Sequence, residues 1–532
     1  MQNPASRPDA LKRIRDKRMA SSLVRGKYVV CKVTGRREAQ VIEDGAVFQR
    51  DGVIVDVGAY AELSKKHRAD ETIGSAEHVV LPGFVNSHHH LGLTPLQTGS
   101  PDYPLEQWWA SRLAKRDVDL YLDTLHSAFE MVESGITTLQ HMHSRLNGPI
   151  ANIEAGSNEI IRAYEHIGMR VSYSYGIREQ NRFVYAADEE FVKYLPADLA
   201  PEVAAMLRAQ TYPVEENFAL FESLHRTHAS KERVRIQLSP TNLHWCSDKC
   251  LQTANDYCER YGIPMHVHLL ETMLQKEYAR RRTGTTAVKH LRNLGILGPH
   301  LTLGHGVWVT EADMELIAET GTQVCHNASS NLRLRSGVAP LNHYLKCGVN
   351  VAMGLDEAGI NDDKDILQEM RLVLRLHRVP GMDDSVPTPA EVLRMATEHG
   401  ATTTPYGAHL GTLEPGKGAD IVVMNWRHIA YPYLDADVPV VDAIVQRAKT
   451  HGVETVLIAG ETVLRDRSFT RVDKHAAEEE LARRLREPLK PHEEKRRDIS
   501  RRLFPHVKQF YMDQGYLNEV GHEPFYRTSS RF

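Results

Sequence analysis

The chain has 532 residues, 42% of them hydrophobic and 25% charged, which is the composition of a water-soluble globular protein large enough for more than one domain. A formal net charge of -4 gives no footing for nucleic acid or an anionic membrane as partner, and no apolar run approaches the ~18 residues of a membrane span. Six cysteines at irregular spacing exclude a disulfide framework, and Cys246 and Cys250 have no second pair with which to build a zinc site.

Residues 1–22 read as a polar N-terminal arm, with basic residues but no apolar core of a secretory leader. The default location is therefore the cytoplasm. From Val24 the texture changes to short β-type runs, KYVVCKV and GAVFQRDGVIVDVG, bounded by glycine or charge. The same texture returns in GADIVVMNW, ETVLIAGETVLRD and SFTRV. Segments 23–78 and 412–472 are accordingly expected to form one small composite β-sandwich domain built from both chain ends.

Between them, over 79–411, eight apolar runs alternate with helical stretches. The runs are HVVLPGFVNSHHH, ITTLQHMH, RVSYSYGI, RVRIQLSP, PMHVHLL, LTLGHGV, TQVCHN and NVAMGLD. Amphipathic segments such as DLYLDTLHSAFEMVESG and DKCLQTANDYCERYG separate them. Eight β/α units in succession predict a closed (β/α)8 TIM barrel, an α/β fold, rather than an open sheet. The connection over about 178–233 exceeds a barrel loop and reads as a partly helical insertion over the active-site face. After Val472 comes a charged helical C-terminal tail, 473–532, whose charge runs read as a solvated helix face.

The chain carries 28 histidines, and several stand at the C-terminal ends of these runs, where barrels build active sites. His88 and His90 share one face of their strand because alternate residues point the same way. On the fifth run His266 and His268 are spaced likewise, and one of them offers a third nitrogen. Glu271 follows just past that strand, His305 ends the sixth run and Asp356 the eighth. Nitrogen and carboxylate ligands without cysteine suit one divalent ion, zinc first, with iron or manganese as alternatives. Three histidines and an aspartate leave a position for water, which such an ion converts to hydroxide near neutral pH. Asp356 and Glu271 can then divide the base and acid roles.

These segments resemble the amidohydrolase superfamily over about residues 50 to 470, in its branch of mononuclear-metal deaminases and triazine chlorohydrolases, which includes cytosine, guanine and S-adenosylhomocysteine deaminases. LPGFVNSHHH is similar to the Pro-Gly-Phe-Val-Asn-x-His-x-His opening motif, and ESGITT to the second-strand signature. HVHLLET, CHNASSNLRLRSGVAP, MGLDEAGIND and GTLEPGKGADIVV resemble the later motifs. The resemblance implies His88, His90, His268 and Asp356 as metal ligands. It implies Glu271 as proton shuttle to the substrate, His305 as the group that polarises the centre under attack, and Asp356 as acceptor of the water proton. His141, His143, Asn327 and Asn331 become candidates for substrate contact or for support of the ligands. The binuclear members bridge two metals through a lysine on the fourth strand; RVRIQLSPTNLHW has none at its end, which implies one ion. Where the common motif reads Thr-Asp-Gly, this chain has Leu355-Asp356-Glu357, so Glu357 joins the candidates on the substrate side.

The expected activity is hydrolysis at an amino-substituted carbon of an N-heterocycle (purine, pterin, pyrimidine or triazine), releasing ammonia or an amine. The alternative is hydrolysis of an acyclic urea, carbamate or amide by the same site; a triazine-type chlorohydrolase and a non-catalytic scaffold stand further back. The expected partner is a small-molecule substrate, and the resemblance implies a homodimer or higher homo-oligomer.

Overall fold

A computed structural model describes residues 21–90, 92–143, 149–382 and 384–517. Residues 1–20 of the expected N-terminal arm and 518–532 of the tail lie outside the described residues. Strands β1 (Ser22–Val33), β2 (Ala39–Arg50), β3 (Val53–Ala59) and β4 (Glu71–Pro82) come first. The barrel strands follow as β5 (Phe84–His89), β6 (Ile136–His143), β7 (Arg170–Ile177), the interrupted pair β8 (Val234–Ile236) and β9 (Ser239–Pro240), β10 (Met265–Leu269), β11 (Leu301–His305), β12 (Gln323–His326) and β13 (Val351–Met353). Strands β14 (Ile421–Asn425), β15 (Val453–Ile458), β16 (Glu461–Arg465) and β17 (Ser468–Phe469) return to the first group.

The two ends of the chain form one eight-stranded sheet in the order β17-β16-β15-β14-β4-β1-β2-β3. Register shifts after Gly26, Val30 and Phe48 mark bulges, which increase local twist and coil the long strands over their own core. That core gathers Val24, Val29, Val47, Ile54, Val80, Ile421 and Leu457. β4 runs to Pro82, four residues into the span expected for the barrel, so the apolar run HVVLPGFVNSHHH serves both bodies. The junction is Gly83, where a Cβ would lie 2.2 Å from Thr137 Oγ1. Only glycine lets the chain pass that close to the neighbouring strand.

All barrel strands pair in parallel and are buried along most of their length, as expected of strands covered by helices outside and packed side chains within. They fall into two arcs, β5 to β9 and β10 to β13. Isolated parallel bridges join the arcs at both edges: Leu238 with Met265 and Asn242 with His268 on one side, His89 with Asp356 on the other. The second seam is made by Asp356 N–H donating to His88 O at 2.8 Å. The ring therefore closes through the residues that carry the candidate chemistry.

Crossover helices surround the ring. Leu120–Glu133 starts at Asp119, whose carboxylate accepts Leu122 N–H, and buries Tyr121, Leu125, Ala128, Phe129 and Val132 on one face. The long connection after β7 holds helices Asp188–Tyr194, Ala200–Ala209 and Val214–His228. The last of these packs on β7 and β8 as an ordinary crossover helix, so the excess over a barrel unit is confined to the stretch before it. The tail forms helices Lys474–Leu485 and Pro491–Asp513. Many of its charges do face outward, yet the second helix buries Ile499, Leu503, Val507, Phe510 and Tyr511 and packs on Leu105–Ser111.

Candidate metal and active site

His88 projects from β5, His90 from the residue just past its end and His268 from β10, and their Nε2 atoms converge. His90 Nε2 is 3.0 Å from His88 Nε2 and 3.1 Å from His268 Nε2. Asp356 Oδ1 lies 3.3 Å from His90 Nε2 and 3.7 Å from His88 Nε2. Tetrahedral zinc with bonds near 2.1 Å sets its donors about 3.4 Å apart, so these separations suit one ion. The hydrogen-bond partners of the rings suit a cation too. His90 gives its Nδ1–H to Met142 O at 2.6 Å and His268 gives its own to Thr241 O at 2.8 Å. Each Nε2 is then a lone pair, and the two lone pairs face one another. Burial, with His90 beside it, holds His268 well below the ordinary imidazole value, which favours its neutral form.

His266 takes a different place from His268. Its Nε2 stands 2.9 Å from His88 Nδ1, which fixes the His88 ring from behind. Asp356 is fixed by Ser330, whose Oγ–H donates to Oδ2 at 2.6 Å. Asn86 Oδ1 accepts from the backbone N–H of Leu355 at 3.0 Å and of His88 at 3.3 Å, tying the two strand ends together. Neither Ser330 nor Asn86 was named from the sequence, and His266 was named there only as the alternative third nitrogen. Asn86 lies inside the opening motif and His266 two residues before His268, but only the closed ring shows what each one touches.

Glu271 and His305 flank the cluster. Glu271 Oε2 is 3.7 Å from His305 Nε2, and His305 Nε2 is 3.8 Å from Asp356 Oδ2. Burial pushes the Glu271 carboxyl up to about 7, with His305 opposing and Asp356 adding to the rise. Its backbone N–H is held by Gln275 Oε1 at 2.9 Å. His305 Nδ1–H donates to Asn331 Oδ1 at 2.9 Å, which turns Nε2 inward. Leu270, His305 and Asp356 all have positive φ, at 52°, 72° and 53°. Non-glycine residues held there at three strand ends of one site indicate backbone strain maintained by the surrounding packing.

The remaining candidates separate by position. Asn331 orients His305, and Asn327 Nδ2 lies 3.5 Å from both of that ring's nitrogens. His141 is buried against Tyr164, with Nδ1 2.8 Å from the tyrosine OH, and stands behind His143. His143 lines a cavity of about 370 Å³ beside the cluster. Glu357 pairs with Arg112 at 2.6 Å, and Arg112 also borders that cavity. Its lining includes His143 at the end of β6 and Tyr175 and Gly176 at the end of β7, and none of the converging imidazoles. Among the described residues the cluster is thus a metal-sized donor set, and the space for a larger molecule lies beside it.

A model of the amidohydrolase family matches residues 79–463. A 5-methylthioadenosine/S-adenosylhomocysteine deaminase of Syntrophobacter fumaroxidans is 30% identical over 450 residues, covering 84% of this chain and 93% of that protein. A 5′-deoxyadenosine deaminase of Methanosarcina mazei is 27% identical over 474 residues, covering 88% and 98%. The crystal structure of an adenosine deaminase from Xanthomonas campestris with bound zinc shares the fold at a TM-score of 0.72 and 24% identity, over 87% of this chain and 97% of that one. The match to the family spans well over half of the sequence and contains every residue of the cluster: the chain belongs to the amidohydrolase family.

Proposed function

We propose that this chain is a mononuclear metal-dependent aminohydrolase that replaces the ring amino group of a 6-aminopurine nucleoside with oxygen and releases ammonia. The observation that carries the reading is the convergence of the Nε2 atoms of His90 and His268, with His88 and Asp356, at metal-ligand spacing beside a Glu271 carboxyl pushed up to about 7. His88, His90, His268 and Asp356 would hold the ion. When bound, a divalent ion, with zinc the first choice, supplies hydroxide at neutral pH and Lewis-acid polarisation.

The protein groups divide the proton work. Asp356, steadied by Ser330, takes the proton of the attacking water and passes it to the departing amine. Glu271 delivers a proton to the ring nitrogen next to the reacting carbon, a task suited to a carboxyl pushed up to about 7. His305, aimed by Asn331, points Nε2 at the reacting centre, where the ring would polarise the group under attack. Water adds, ammonia leaves, and the ring carbon becomes a carbonyl, so the reaction consumes one water per amine released.

The choice of a purine nucleoside rests on the relatives named for methylthioadenosine, S-adenosylhomocysteine and deoxyadenosine. All six cysteines are free, which supports a reducing compartment such as the cytoplasm. The test is ammonia release from adenosine, 5′-deoxyadenosine and 5′-methylthioadenosine, with metal counted per chain and assembly state read by sedimentation. About one zinc, iron or manganese per chain with ammonia from a purine nucleoside is the expected result. One metal ion with no ammonia from any heterocycle, but turnover of a urea, carbamate or amide, overturns it.

A further inference from the structure

The C-terminal helix Pro491–Asp513 begins well beyond residue 463, where the family match ends. Its buried stripe, Glu493, Ser500, Leu503, Val507 and Phe510, repeats at helical spacing, with half-buried Arg496 on the same side, and packs on Leu105–Ser111 and the turn after it. Arg497 Nε donates to Ala114 O at 2.9 Å and Ser500 Oγ to Ala110 O at 2.8 Å. From the other side Arg116 Nη2 donates to Glu487 O at 2.6 Å. The same helix reaches the reactive side again at Tyr511, whose oxygen accepts Tyr185 N–H at 3.1 Å. Tyr185 OH donates to Glu106 at 2.8 Å, and Glu106 also takes the hydroxyl of Thr272, the residue after Glu271, at 2.5 Å.

Arg496 enters the wall of the 370 Å³ cavity. Its Nη2 donates to Asp117 Oδ1 at 2.6 Å and to Lys115 O at 3.1 Å, while His492 of the same helix meets Asp117 Oδ2 at 2.6 Å. The other N–H groups of Arg496 make no hydrogen bond to the described residues. Across the cavity Arg178 stacks 3.7 Å over Trp245 and makes no ion pair with any described residue. Its Nε is buried with no hydrogen-bond partner. Guanidinium groups donate and cannot accept. The open valences of this wall therefore call for a guest rich in acceptor oxygens.

We propose that helix Pro491–Asp513 is a wall of the substrate cavity, and that Arg496 is a specificity-determining residue favouring substrates whose arm, remote from the reacting amine, carries acceptor oxygens. This rests on the deaminase reading above. The cavity is neighbour to the metal cluster, since His143 of its lining follows Met142, whose O holds His90, and its Arg112 pairs with Glu357 beside Asp356; the arm of a nucleoside whose base met Glu271 would have this space to enter. A segment outside the common family region would then set which arm this chain accepts.

The test uses the full-length, zinc-loaded protein and two probes, S-adenosylhomocysteine, with an amino-acid arm, and 5′-deoxyadenosine, with none. In Arg496→Ala the ratio of kcat/KM between the two should fall tenfold or more, through KM, with kcat on 5′-deoxyadenosine within twofold. Arg501→Ala, on the exposed side of the same helix, should leave the ratio unchanged. An equal loss on both probes, or no change, overturns the proposal. If the unsubstituted protein turns over neither probe, the deaminase reading fails by itself, and calorimetric binding of S-adenosylhomocysteine decides the wall. Binding tenfold weaker in Arg496→Ala upholds it; equal binding, or none, overturns it.

Discussion

Arg112 Nη1 lies 2.6 Å from Glu357 Oε1, with the two side chains only 1% and 8% exposed. Burial works to raise the Glu357 carboxyl, but Arg112 and the nearby cations outweigh it and hold the group down at about 2. The pair sits directly after Asp356, and Arg112 is further fixed over Trp108 at 4.4 Å. Lys364, itself fully buried, donates to the backbone oxygen of Glu357 and secures the same turn. Removing one charge from a buried pair strands the other, at about 3–5 kcal/mol. Arg112→Met should lose that much stability in urea denaturation, and Arg112→Met with Glu357→Gln should recover most of it. Additive losses would show that the pair is not coupled.

Asp356 is the carboxylate of the donor set among the described residues and the proton acceptor in the proposed reaction. Asp356→Asn should abolish activity and weaken zinc retention, read as metal per chain after dialysis against a mild chelator. Full activity in that variant would remove Asp356 from both roles.

Glu271 lies past the donor set, with Oε2 3.7 Å from His305 Nε2. Glu271→Gln should keep its metal while kcat falls by roughly 10²–10⁴-fold, the usual worth of a positioned proton donor. Metal loss in this variant would move Glu271 among the ligands.

Stripping the ion exposes the lone pairs of His90 and His268 to each other across 3.1 Å. Metal-free protein should therefore melt at a lower temperature, with the original Tm restored by zinc. At a zinc concentration of 100 times Kd the gain should be about 2.7 kcal/mol. An unchanged Tm would mean that the cluster is stable without a cation.

Glu369 gives a pH signature away from the metal. Burial pushes its carboxyl up to about 7, although Ser329 donates its N–H at 3.0 Å and its hydroxyl. A raised folded-state pKa means the group favours folding below its ordinary value of 4.5 and loses that contribution as pH rises through about 7. Between pH 5 and 8 the protein should thus lose stability relative to Glu369→Gln, by on the order of 1–3 kcal/mol. Parallel Tm curves across that range would contradict it.

The eight apolar runs, each ending near a polar residue, determined the barrel and the end of it that carries chemistry, because period-two burial and strand-end position are local properties. The His-x-His spacing on β5 likewise set two imidazoles on one face without reference to any other segment. Sequence could not divide β4 from β5, since Val79 to Pro82 and Phe84 to His89 are equally apolar and only the tertiary structure turns the chain at Gly83. Strand spacing alone could not separate His266 from His268, which share a face, and only the resemblance singled out His268; the fold gives them different surroundings, since Thr241 O takes the Nδ1–H of His268 and not of His266. The partners of Glu357, and the entry of Arg496 into the cavity from a charged tail, depend on contacts between residues hundreds of positions apart. Those contacts carry no periodic signal in the chain, so only the folded arrangement decides them.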